Sequence, residues 1–304
     1  MQAAPDNFQD STLVLIGHGS TLTADASLPI YQHVDELRSR GAFGQVIEAF
    51  WKQEPSIAGV LRGAYGRRVF IVPMFISEGY FTDEVVPREL GFAEPGQRDF
   101  ARTQRRGLQR LYYCSPVGSH PGMTNLLLTR AEEVIKRFPF PRAPKSTETA
   151  LFIAGHGTTA NENSRKAIER QVELLRAKER FAEVHPIFME EAPRIADCYT
   201  MTQQRNLVVV PFFISDGLHS YEDIPIMLGE PERLVKTRLQ NGQPTWRNPT
   251  EKKGKLVWYT ASIGKEPQMA DVILDLVREA ARAEQENVFA KWVELPAAEA
   301  PNLT

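Results

Sequence analysis

The chain repeats itself without a gap, and that repetition limits the folds open to it. Residues 13–21, LVLIGHGST, match residues 151–159, LFIAGHGTT, at an offset of 138 (151 − 13). The same offset pairs Val34 with Val172, Leu37 with Leu175, Phe50 with Phe188, Pro55 with Pro193, Ile57 with Ile195, Pro73 with Pro211, Gly79 with Gly217, Pro87 with Pro225 and Gly91 with Gly229. One register held over so many Gly, Pro and apolar positions means two copies of one unit joined head to tail. It slips only before each last strand, where Gly118 matches Gly264 and Met123 matches Met269 at an offset of 146 (264 − 118). The later copy therefore holds extra residues in that loop.

Each copy alternates short apolar runs with helical patterns. In the first, residues 13–16 predict a buried strand, and a helix follows from Pro29 with Ile30, Val34 and Leu37 on one face and Gly41 as its stop. Residues 46–50, 69–76 and 111–114 predict three further strands, and residues 123–138 a closing helix. This alternation predicts an α/β fold in which each copy is a four-stranded parallel sheet flanked by helices. The expected divisions are a polar leader over 1–12, a first domain over 13–138, a Pro-rich linker over 139–150, a second domain over 151–295 and a loose tail over 296–304.

With 36 Lys+Arg against 38 Asp+Glu, nothing in the charge balance favours nucleic acid or a membrane surface as partner. Cys114 and Cys198 form no CxxC pair, and the expectation is two buried thiols. No export or spanning segment is visible in the chain, so a cytoplasmic location is expected. The loops before the last strands are polar. Arg98, Arg102, Arg105, Arg106 and Arg110 in the first and residues 231–255 in the second read as solvated surface, or alternatively as cations that meet an anionic ligand.

In open parallel sheets ligands bind beyond the carboxyl ends of the strands. In the second copy the first strand delivers His156, the second Glu190, and the third the segment Ser215-Asp216-Gly217-Leu218-His219. Two imidazoles and a carboxylate can thus converge. The aligned residues of the first copy are His18, Lys52 and Phe81. An ammonium repels a cation and a phenyl ring has no lone pair, so that copy has lost the donor set. A lone His after a strand is more often a hydrogen-bonded loop residue than a ligand, and His120 and His185 read as structural. GxSxG, a Walker phosphate loop and HExxH are all absent. What remains is N/O ligation of a borderline divalent metal such as Co²⁺, Ni²⁺, Fe²⁺ or Zn²⁺.

These residues resemble the class II tetrapyrrole chelatases, in particular the long, two-domain form of the sirohydrochlorin cobaltochelatase family. The resemblance rests on the GHG[ST] opening, on Phe188, Glu190 and Pro193, on VVPFFISDGLHSYEDIP, and on Gly118-Ser119-His120-Pro121. It implies two tandem chelatase-like (flavodoxin-like) domains and insertion of Co²⁺, or Fe²⁺ or Ni²⁺, into sirohydrochlorin or a close relative without nucleotide hydrolysis. The metal and catalytic residues would be His156, His219 and Glu190. Substrate carboxylates would meet Gly157, Thr158, Ser215, Gly217, Leu218 and Lys52. No cofactor beyond the metal substrate is implied, and a monomer acting as an internal pseudo-dimer is expected. The rival from another class is a non-catalytic metal or tetrapyrrole carrier.

Overall fold

The computed structural model describes residues 7–21, 24–157 and 162–293. The first repeat runs β1 (Phe8–Gly17), α1 (Leu28–Arg40), β2 (Phe43–Phe50), α2 (Ile57–Gly63), β3 (Arg68–Pro73), a π-helical turn (Phe81–Val85), α3 (Val86–Glu89), β4 (Thr103–Arg106), β5 (Gln109–Tyr113) and α4 (Met123–Arg137). The second runs β6 (Thr149–Gly155), α5 (Asn163–Arg176), β7 (Glu183–Phe188), β8 (Asn206–Pro211), a second π-helical turn (His219–Asp223), α6 (Ile224–Met227), α7 (Glu232–Gln240), β9 (Thr250–Lys252), β10 (Lys255–Tyr259) and α8 (Met269–Val293).

The strand orders are β2-β1-β3-β5-β4 and β7-β6-β8-β10-β9. The four expected parallel strands are present in each sheet, and a short antiparallel edge strand, β4 or β9, joins them. Leu13, Val14, Leu15 and Ile16 are fully buried, as a strand covered on both faces requires. Helix α1 has Pro29 in its first turn and stops at Gly41, which adopts the left-handed conformation at φ 61°.

Three segments depart from the expected boundaries. β1 begins at Phe8, inside the polar leader: Phe8 stacks on Phe43 with centroids 5.2 Å apart, and the Thr12 hydroxyl donates to Gln45 Oε1 at 2.8 Å. Local polarity hid a strand whose polar side chains are satisfied by neighbours. β6 likewise begins at Thr149, inside the expected linker. The loop over 231–255 contains α7 and β9; α7 buries only Val235 completely, so its polar composition gave no apolar stripe to read. Of the first loop's arginines, Arg98, Arg102, Arg105 and Arg110 are exposed, as the solvated reading expects, with Arg98 paired to Glu84 at 3.3 Å, while the half-buried Arg106 donates to Gly91 O at 2.8 Å.

The closing helices are exchanged. α4, from the first repeat, packs on β8 and β10 of the second sheet, while α8, from the second, packs on β3 of the first. One apolar core consequently runs through both repeats, from Leu13 and Phe70 to Leu151 and Trp258. Polar contacts pin the seam: Thr124 donates to Gln171 Oε1 at 2.8 Å, and Trp258 Nε1 donates to Phe138 O at 2.9 Å. Among the described residues no helix is long and apolar enough to cross a membrane.

Candidate functional site

The GHG loops follow β1 and β6, interior strands of the two sheets. A β-carbon on Gly17 or Gly155 would lie 2.9 Å or 1.9 Å from the tip of Ile30 or Ile168, so the first glycine lets the following helix close on the strand. Gly19 and Gly157 take positive φ, 69° and 64°, and turn the chain back over Phe50 and Phe188. The histidine between the glycines is thereby set at the strand's carboxyl end, beside the switch point of the sheet. The residue at the end of the second loop is tied to it, since Lys52 N donates to His18 O at 2.9 Å and Glu190 N to His156 O at 3.1 Å.

The third contribution comes from the π-helical turns, whose first residues are Phe81 and His219. Each turn rests on a buried tyrosine: Tyr113 donates to Thr82 O and Tyr259 to Ser220 O, both at 2.7 Å. Burial pushes both phenols well above their ordinary pKa, so each stays protonated and keeps donating. Asp216 accepts the Ser262 N–H at 2.8 Å and fixes the loop leading into the second turn.

These elements surround one cavity of about 590 Å³ to which both repeats contribute, with His18 and Phe81 from the first and His156 and His219 from the second. This is the size range of small-molecule sites. The rings of His156 and His219 lie 5.1 Å apart at 86°. His219 Nδ1 is 2.7 Å from Asp223 Oδ2, and His156 Nδ1 is 3.1 Å from Gly157 O. Neither a carbonyl nor a carboxylate oxygen has a proton to give, so each imidazole is the donor through Nδ1 and keeps its lone pair on Nε2. His18 follows the same rule, with Nδ1 2.8 Å from Gly19 O.

Glu190 Oε1 lies 3.5 Å from His156 Nδ1, on the proton-bearing side of that ring. Among the described residues no three His, Cys, Asp or Glu side chains are grouped closely enough to hold an ion. His156 and His219 are thus paired on the cavity wall, with Glu190 beside His156. Of the other expected residues, Gly157 is buried in the turn, and Ser215 lines the cavity while its hydroxyl donates to Ala26 O at 2.7 Å. Leu218 is exposed beside His219, and Gly217 has open space around it. Thr158 lies outside the described residues. Lys52 is exposed, its Nζ 3.7 Å from the centroid of the Trp51 ring.

Two residues escaped the sequence reading. Asp223 stands where the first repeat has Val85, and its spacing of four from His219 was the available signal. Trp51 stands where the second repeat has Met189, and it packs edge-on against His18 at 5.3 Å and Phe81 at 4.9 Å. Cys114 and Cys198 are buried free thiols, each pushed up to about 12 by desolvation, and are inert.

The comparisons agree with this architecture. A probable sirohydrochlorin cobaltochelatase of Halobacterium salinarum is 38% identical over 278 residues, covering 88% of this chain and 91% of that protein. A sirohydrochlorin cobaltochelatase of Methanopyrus kandleri is 28% identical over 139 residues, covering 43% of this chain and 96% of its own. The multi-domain protein DR2241 of Deinococcus radiodurans, described as structurally similar to chelatases, superposes with a TM-score of 0.70 at 27% identity, over 88% of this chain and 54% of that one. The chain thus spans about half the length of that protein. SirB of Bacillus subtilis, solved with Fe³⁺, shares the fold at a TM-score of 0.63 and 17% identity, over 90% of this chain and 97% of its own. The CbiX family model matches residues 12–134 and again 150–280, and the chain belongs to the CbiX family.

Proposed function

We propose that this protein inserts a divalent metal, with Co²⁺ favoured over Fe²⁺ and Ni²⁺, into sirohydrochlorin or a closely related tetrapyrrole, and that the working site is in the second repeat. The observation that carries this reading is the pair His156 and His219, both holding Nε2 lone pairs on the wall of one cavity. Two neutral imidazoles bind a borderline divalent cation yet leave most of its coordination positions for water and incoming ring nitrogens. Such a set suits an ion that must be passed on.

Metallation removes two pyrrole protons as the metal enters, so the site must also accept protons. An imidazole whose metal has left has a free Nε2 lone pair that can take such a proton. The Asp223 carboxylate orients the His219 ring and stabilises its cation, and Glu190 does the same beside His156. Gly157, Thr158, Ser215, Gly217, Leu218 and Lys52 complete the proposed substrate contacts. The reaction needs no nucleotide and no cofactor beyond the metal substrate, and it takes place in the cytoplasm. The reciprocal helix exchange supports a monomer that works as an internal pseudo-dimer.

The test is to mix purified protein with free-base sirohydrochlorin and Co²⁺, Fe²⁺ or Ni²⁺, without nucleotide, and follow the absorbance change. Metallation faster than the uncatalysed control is expected, fastest with Co²⁺. Binding of both substrates with no acceleration would identify a carrier instead.

A further inference from the structure

The first repeat keeps the geometry of the donor pair after losing its chemistry. His18 and Phe81 lie 5.0 Å apart at 80°, against 5.1 Å and 86° for His156 and His219. The replacements are not random apolar fillers. Phe81 also contacts Trp51 at 4.9 Å and stacks on Phe75 at 5.8 Å with the rings within 15° of parallel. Tyr80 sits beside Phe81, half-exposed, with centroids 5.5 Å apart. His18, Phe75 and Phe81 line the same cavity as His156 and His219. A cation, Lys52, joins this cluster, its Nζ 3.7 Å from the centroid of the Trp51 ring.

We propose that the first half-site is a docking wall for the flat face of a carboxylate-bearing conjugated macrocycle, built on Phe75 and Phe81 of the cavity wall with Trp51 packed against Phe81 and Lys52 over the Trp51 ring, and that metal is handled only by the facing second half. The proposal rests on the chelatase reading and assigns the flat face of the macrocycle to the first repeat and the metal to the second, whose loops still meet the macrocycle's carboxylates. Charge and shape choose the occupant. Offset and edge-on aromatic contacts favour a π-faced ligand, and a lone ammonium at the rim of an aromatic surface matches a peripheral carboxylate. The same ammonium repels a divalent cation, which keeps the ion on the imidazole side. Four positions around the site at which the repeats differ, His219, Glu190, Asp223 and Met189 against Phe81, Lys52, Val85 and Trp51, then describe one division of labour.

Binding is measured separately for each substrate: free-base sirohydrochlorin by absorbance titration without metal, and Co²⁺ by calorimetry without macrocycle. Trp51→Ala and Phe81→Leu are expected to weaken macrocycle binding about three- to tenfold each and to leave Co²⁺ affinity within about twofold. His219→Ala is expected to show the reverse pattern. Circular dichroism accompanies each variant, with Trp51→Phe as the milder substitution should Trp51→Ala not fold. The wild-type chain should bind a single Co²⁺, and Lys52→Glu combined with Phe81→His and Val85→Asp should add a second. If folded Trp51 and Phe81 variants bind the macrocycle as the wild type does, or the wild type binds two Co²⁺, the proposal is wrong while the chelatase reading stands. Failure of the wild type to bind the macrocycle at all would remove both.

Discussion

His219 Nδ1 and Asp223 Oδ2 are 2.7 Å apart across a single π-helical turn, so the residue that opens the turn is oriented by the residue that ends it. The turn brings positions i and i+4 together and holds the imidazole as its Nδ1–H tautomer. Asp223→Ala is expected to lower Co²⁺ affinity and the metallation rate about 10–100-fold, the usual cost of removing a carboxylate that orients a metal-binding histidine. Asp223→Asn, which can still accept the hydrogen bond, should lie between that variant and the wild type. Calorimetric Co²⁺ titration with initial metallation rates checks this, and a wild-type rate for folded Asp223→Ala would remove the pair from the mechanism.

His156 and His18 occupy equivalent loops but unequal sites. His156 faces a second imidazole and has Glu190 at 3.5 Å, whereas His18 faces Phe81. His156→Ala should reduce the metallation rate by about 10²-fold or more, the scale of a lost proton-transfer group, and His18→Ala by about tenfold or less. Steady-state kinetics on both variants decides it. The reverse order would move the working site to the first repeat.

Much of this was legible because repeated backbone constraints leave repeated residues. Gly118 and Gly264 shared a register in the sequence. In the structure a β-carbon at either would lie 2.0 Å or 1.5 Å from a carbonyl oxygen, Ile76 O or Ile214 O, so both positions exclude any side chain. The GHG loops were readable for a similar reason. The histidine pair followed from strand-end topology, as did the loss of its counterpart at Phe81. Helix exchange left no trace, since a stripe such as Leu127, Val134 and Ile135 is equally apolar whichever sheet it covers. Trp51 was passed over because an aromatic residue after a strand is ordinary until its neighbours His18 and Phe81 are seen around it.

His33 gives the seam between the repeats a pH dependence. Its ring is buried on α1, and Nε2 donates to Gly264 O at 2.6 Å. Burial holds its pKa below the ordinary 6.5; the bond to Gly264 and the charge of Glu36 oppose that, Arg40 adds to it, and Asp271 on α8 pairs with Arg40. The folded state therefore prefers neutral His33. Its contribution to stability is complete above about pH 6.5 and is lost as pH falls through the depressed folded value. Thermal midpoints should decline between pH 7 and pH 5, and less steeply in His33→Gln, whose amide can still donate to Gly264. Equal slopes in the two proteins would refute this role.

The exchanged helices make each half dependent on the other. Without the second half, β3 loses α8; without the first, β8 and β10 lose α4 and its buried Leu126, Leu127, Val134 and Ile135. Four such side chains account for about 6–12 kcal/mol of burial, comparable to the whole net stability of a domain, about 5–15 kcal/mol. Residues 1–138 and 139–304 produced separately are expected to lack fixed tertiary packing, with weak near-UV circular dichroism and aggregation on size exclusion. Produced together, they should form a one-to-one complex with the native spectrum, because the exchange needs no covalent link between the halves. A separately folded, monomeric fragment of either half would show that its sheet is covered without the partner's helix.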